Sequence, residues 1–156
     1  MTTSIKNSKL TIRVTEDITL NGRKLGNTNK HEILEINEVS ERILTVPTSE
    51  ITILSASSAV GPGTYMSGAI KYIRLTNLDD TNYVRLSFVS GTNSSTGYEA
   101  NTADFKLEAK RTMIFTNTSF SGSATDASFD SFSSFSNLKG TANSDSVDIE
   151  LFVATT

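Results

Sequence analysis

Few side chains in this sequence have the type and spacing that chemistry requires. Asp79 and Asp80 stand together between two apolar runs in IRLTNLDDTNYVRLSFV, Ile73 to Val89. A calcium site draws on about six or more oxygens, usually from carboxylates at alternate positions, and no D-x-D-x-D-G loop occurs. Adjacent acids suit a chain reversal, where each carboxylate accepts hydrogen bonds from free backbone N–H groups. Asn77, Asp79, Asp80 and Asn82 are therefore expected to form a structural turn without a metal. His31, the single histidine, precedes Glu32, but the helix-borne zinc motif needs a second histidine where Glu35 stands. A serine triad would have to use His31 as its base, and no G-x-S-x-G elbow presents a nucleophile. Gly61, Gly63 and Gly68 precede no helix and no G-K-[ST], so they read as loop glycines rather than a phosphate cradle. Two distant carboxylates could still serve a glycosidase without any short motif, and nothing in the spacing favours them. The expectation is no catalytic residue, no metal and no cofactor.

Composition narrows the classes further. A chain of 156 residues fits one domain, which at that size buries roughly 70% of its unfolded surface without needing a metal or disulfide. Cysteine is absent, which removes disulfide frameworks, thiolate zinc sites and thiol nucleophiles together. The net charge is −3, the pI is near 5.1, and acids and bases are interspersed. Nucleic acid and anionic membranes, which call for a concentrated basic face, are not expected partners. The opening MTTSIKNSK lacks the apolar core of a secretory signal, and no run approaches the ~18 apolar residues of a membrane span. The reading is a soluble protein made in the cytoplasm, or released from it without a signal.

The positioning elements are strands. With 22 Ser, 22 Thr, 12 Asn and 2 Pro, the chain is rich in residues that suit exposed strand faces and turns. Leu10, Ile12 and Val14 alternate with Thr11, Arg13 and Thr15, and Ile18 and Leu20 flank Thr19, as in half-buried strands. Asn21-Gly22 predicts a hairpin turn, and Gly26-Asn27 a second reversal. Glu32 to Val46 is ambiguous: Ile33, Ile36 and Val39 or Ser40 fit helical spacing and Ile43, Thr45 and Val46 fit a strand; the reading is a strand or bend and then a strand, which Pro47 ends. Further strands are expected at Ile51 to Leu54, Ile70 to Thr76, Tyr83 to Phe88, Phe105 to Ala109, Met113 to Phe115 and Val147 to Val153. The Ile70 strand, apolar on both faces, should be central in its sheet. Ser90 to Asp104 and Asn117 to Gly140 read as loops. About eight to ten short strands without a long helix predict an antiparallel, jelly-roll-like β-sandwich over residues 10–156, preceded by a polar arm over 1–9.

Within the long loop, SFDSFSSFS repeats Phe129, Phe132 and Phe135 every third residue. On a helical turn the rings would lie near one face. They either plug an open end of the sandwich or pack on another subunit. Phe120 and, in the arm, Ile5 join them as candidate interface residues. The sequons at Asn93 and Asn117 are attributed to the abundance of Asn, Ser and Thr.

Three stretches read together, KYIRLTNLDDTNYVRLSF, FKLEAKRTMIF and DSVDIELFVA, resemble the small β-sandwich structural proteins of tailed bacteriophages, including those of marine and cyanobacterial phages. Asn77, Thr81, Asn82, Tyr83, Val84, Leu107 and Ala109 are the matching positions, and the resemblance covers about half the chain. Lys110-Arg111 departs from the commoner small or acidic residues there, and the Ser/Phe insertion is longer than expected. The resemblance implies a non-enzymatic capsid decoration (cement) protein on the virion surface, assembled in the host cytoplasm. Its partners would be the major capsid protein and copies of itself, a trimer being the expected homo-oligomer, with the 1–9 arm crossing to a neighbour. A neck, tail or fibre-attachment component is the alternative. So is a carbohydrate-binding host-adhesion module, although Trp is absent and Tyr65 and Tyr98 are the only loop aromatics suited to stacking on sugars.

Overall fold

Period-two alternation in the first part of the chain produces a long hairpin. The computed structural model describes residues 8–57, 61–66, 68–92, 99–116 and 136–156. In it β1 (Ser8–Leu20) runs unbroken through both expected strands and pairs antiparallel with β2 (Arg23–Ile36). Asn21 and Gly22 have φ of 49° and 74°, the pair of positive values that a type I′ hairpin turn requires. The second expected reversal, at Gly26-Asn27, does not occur. Gly26 sits opposite Asp17 inside the ladder, where a Cβ would lie 2.3 Å from the Glu16 carbonyl oxygen. Close backbone approach, not turning, places a glycine there.

The helix-like spacing of Ile33 and Ile36 has a strand explanation. The register slips between Ser8 and Leu10, which face Ile36 and Ile33, so two steps on β1 match three on β2. Glu35 takes φ 62° in this bulge, and Ile33 and Ile36 both end up buried. After Asn37 the chain continues as β3 (Glu38–Val46), which Pro47 ends as expected.

The remaining strands are β4 (Ile51–Ser57), β5 (Thr64–Met66), β6 (Ile70–Asn77), β7 (Val84–Thr92), β8 (Glu99–Leu107), β9 (Thr112–Thr116), β10 (Asn137–Ala142) and β11 (Val147–Thr155). Among the described residues the strands form an all-β sandwich whose two sheets run β5-β4-β10-β7-β8 and β3-β11-β6-β9, with β1-β2 as a separate two-stranded sheet. Among the described residues only β4 and β5 pair in parallel. Setting aside β1, β2 and β5 and counting the other eight in chain order, one sheet runs 1-8-3-6 and the other 2-7-4-5. β6 is central, between β11 and β9, as its two-faced apolarity predicts.

Ile73, Leu75, Ile149 and Leu151 from one sheet meet Leu54, Leu86, Phe88 and Leu138 from the other in one buried core. Phe88 contacts Phe105 and Phe115 edge-on, with centroids 5.6 and 4.9 Å away.

Several expected loops are shorter than the sequence suggests. β7 and β8 extend to Thr92 and from Glu99, into the Asn/Thr-rich stretch, because backbone ladders form without apolar side chains. β8 stops at Leu107, so Ala109 lies in a turn completed by Lys110 at φ 57°. β10 occupies the end of the expected Ser/Phe loop. Its signal is weak because its core face reads Leu138, Gly140, Ala142, with Gly140 pressed against Ile53 and Val46.

Candidate interaction surfaces

The expected turn residues come together between β6 and β7. Asn77 is buried; its Nδ2 donates to the carbonyl oxygens of Asn82 (2.8 Å) and Leu107 (3.2 Å), and its Oδ1 accepts from Asp79 N (2.9 Å). Asp79 Oδ1 accepts from the backbone N of Asn82 (2.6 Å) and Thr81 (2.7 Å). Those two donors, Asn82 first, hold the Asp79 carboxyl below its ordinary pKa. Asp80 points away to an ion pair with Lys110, and Asn82 Oδ1 accepts from Ser144 Oγ. Lys110 N also donates to the Asp79 carbonyl, and Asn77 N to that of Arg111, so the departing Lys110-Arg111 pair locks the β8–β9 turn onto the β6–β7 turn. The arrangement fastens the β6–β7 reversal to the β8–β9 reversal.

His31 lies on β2 opposite Ile12, exposed, near the base of the hairpin. Among the described residues no group of three or more His, Asp or Glu could hold a metal. No helix among them is long and apolar enough to cross a membrane. Tyr65, expected in a loop, is a buried residue of β5 and so presents no ring for stacking. Ile5, Phe120, Phe129, Phe132, Phe135 and Tyr98 lie outside the described residues, as does most of the 1–9 arm; Ser8 and Lys9 belong to β1.

Two surfaces stand out that sequence reasoning did not single out. On the outer face of the β7–β8 sheet, an open groove of about 510 Å³ is lined by Tyr83, Arg85, Asp104, Lys106 and Asn143 among others. Lys106 Nζ sits 4.2 Å from the Tyr83 ring centroid and 2.7 Å from Glu108, whose hydrogen bond keeps the ammonium pKa above its usual value. One face of the ring and the nearest cation are thus already engaged.

The other surface is the hairpin. Direct partners on an antiparallel pair share a face. One face therefore carries Leu10/Ile33, Ile12/His31, Val14/Asn29, Glu16/Asn27, Ile18/Leu25 and Leu20/Arg23, while the other carries only Thr11/Glu32, Arg13/Lys30, Thr15/Thr28, Asp17/Gly26 and Thr19/Lys24. The base of the first face is covered. Leu10, Ile12, Ile33 and Ile36 pack on Tyr72, Phe152 and Ala154, on the side of the β3-β11-β6-β9 sheet that faces away from the core. Tyr72 meets Phe152 edge-on at 5.7 Å, and its burial raises the phenol pKa against the lowering effect of Arg74. Beyond this base every residue from Arg13 to Glu32 is exposed. Eight residues of β1 project over about 27 Å at the strand rise of ~3.4 Å. Val14, Ile18, Leu20 and Leu25 remain 47%, 55%, 55% and 49% exposed.

No protein-family model, no curated protein and no solved structure matches the chain.

Proposed function

We propose that this chain is a non-enzymatic structural protein of a tailed-phage virion, a decoration protein that cements the head by contacts with the major capsid protein and with copies of itself. The observation that carries this reading is the hairpin: a projecting arm with one wholly polar face and one apolar stripe, half covered by its own sheet and half uncovered. Water penalises such a stripe, and a two-stranded ribbon alone is marginally stable, so the arm gains most by lying against another protein. The phage-like stretches give the reading its context. They fall on β6–β7, β8–β9 and β11, which form the fastening of interlocked turns and the centre of one sheet.

The 1-8-3-6 and 2-7-4-5 strand orders we read as jelly-roll connectivity, an architecture shared by viral capsid and lectin domains. That supports a capsid role by analogy of fold only. Copy number separates the alternatives. Quantitative mass spectrometry of purified phage particles is expected to give hundreds of copies per head, and about a dozen would assign the chain to the neck or tail. Particles assembled without it should lose heat resistance; unchanged heat resistance with failed adsorption would favour the adhesion reading.

A further inference from the structure

We infer that the outer half of the β1–β2 hairpin docks on a second copy of this chain, against the outward face of that copy's β3-β11-β6-β9 sheet. The inference rests on the contact-protein reading above and names the partner and both surfaces.

The chain itself displays the mode of contact. Its hairpin base already lies on this sheet, Leu10, Ile12, Ile33 and Ile36 against Tyr72, Phe152 and Ala154. The same face continues outward through Val14 and, past Glu16 and Asn27, through Ile18, Leu25 and Leu20, which stay about half exposed and do not join the cluster at the base. The sheet in turn has an uncovered remainder. Across the strands, Val39, Ala154, Tyr72 and Thr116 form one row, Glu41, Phe152, Arg74 and Ile114 the next, and Ile43, Glu150, Thr76 and Thr112 a third. The hairpin base takes Tyr72 and Ala154 of the first row and Phe152 of the second, and leaves Val39 exposed. Ile43, at 66%, and Ile114, at 44%, stay exposed in the other two. One protein therefore holds an uncovered apolar stripe on its arm and an uncovered sheet face on which Val39, Ile43 and Ile114 stand among charged and hydroxyl side chains, the two surfaces that its own hairpin base already joins.

Charge agrees with this pairing. Residues 8–36 contain five Lys and Arg against four Asp and Glu, whereas 37–156 contain eight against thirteen. Arg23 shares the apolar face of the arm tip with Leu20, and Lys24 follows on the other face. The receiving rows carry Glu41 and Glu150, which share the single Arg74 at 3.6 and 3.1 Å. An arm bringing Arg23 there adds the cation that this pair of carboxylates lacks. The contact joins two different surfaces, so it is heterologous: repeated around an axis it closes a ring, and exchanged between two copies it closes a dimer.

The test uses the full chain and two double variants, each altering only exposed side chains: Ile18→Ser with Leu25→Ser in the arm, and Ile43→Ser with Ile114→Ser on the sheet. Sedimentation of the parent at micromolar concentrations should show an oligomer. Each variant, with melting temperature and circular dichroism preserved, should associate at least about tenfold more weakly. Mixing the two variants should restore association, because one keeps the sheet and the other the arm. A monomeric parent, variants that associate as the parent does, or a mixture that fails to recover would each overturn the inference. A parent that is monomeric yet binds purified heads lacking it would overturn this pairing and leave the virion role standing; an arm-dependent oligomer absent from virions would do the reverse.

Discussion

Asn77 offers the sharpest test of how this fold is fastened. Its side chain is buried and makes three hydrogen bonds: two donated to the carbonyls of Asn82 and Leu107, and one accepted from Asp79 N. Replacing Asn77 by Ala removes all three and leaves the carbonyl of Leu107, a fully buried residue, without that donor. At about 1 kcal/mol net per bond, the loss comes to ~3 kcal/mol. For a chain of this size that lowers the melting temperature by roughly 6–12 °C. Asn77→Asp makes a finer probe, because it keeps an acceptor for Asp79 N while turning a carboxylate toward two carbonyl oxygens. Burial and those carbonyls raise the folded-state pKa of the introduced carboxyl above the ordinary value of ~3.9. The resulting destabilisation is fully present above the raised folded value and fades as pH falls toward ~3.9, where the protonated carboxyl can donate. Urea unfolding followed by circular dichroism at pH 7 and pH 4.5 measures both effects. Asn77→Ala within about 0.5 kcal/mol of the parent, or Asn77→Asp no worse at pH 7 than at pH 4.5 relative to the parent, would refute the reasoning.

Three further outcomes follow from particular contacts. The Asp79 carboxyl, held down by the N–H groups of Asn82 and Thr81, should titrate below ~3.9 in a carbon-detected NMR series, so its stabilising effect is complete above ~3.9 and is lost as pH falls through the folded value; a midpoint at or above 3.9 contradicts the turn geometry. Gly26→Ala places a methyl against the Glu16 carbonyl and should break the ladder of the hairpin, raising amide exchange in residues 13–32 at least about tenfold while the melting temperature stays within about 1 °C, since the arm's ladder opens independently of the core. Phe88→Ala, which removes a ring packed edge-on to Phe105 and Phe115, should cost about 3–5 kcal/mol in urea unfolding, and a loss under 1 kcal/mol would mean that these rings contribute little to the core.

How far the sequence revealed the fold depended on which force left its mark on residue type. Strands that bury one face were readable, because Ile73 and Leu75 or Ile149 and Leu151 must recur at period two to enter the core. The Asn21-Gly22 turn was readable because its positive φ values select those residues. Strands held mainly by backbone ladders were hidden: β8 begins in Glu99 to Asp104 and β10 carries Gly140 where Ile53 fills the space, so neither spells out an apolar face. A bulge also disguises period, as at Ile33 and Ile36, since one extra residue turns a spacing of two into three. The turn residues of the candidate site were legible from side-chain chemistry alone. The projecting stripe was legible only as alternation, since exposure is a tertiary fact, and the groove at Tyr83 assembles residues from three distant segments.

β11 follows β3 by a hundred residues, yet it is the strand that separates β3 from β6. A nascent chain emerging from the ribosome would therefore carry β3 and β6 with no shared neighbour until Val147–Thr155 had cleared the exit tunnel. The β3-β11-β6-β9 sheet cannot be completed before translation has passed that point, and Ile149, which pairs with Asn77, arrives with it.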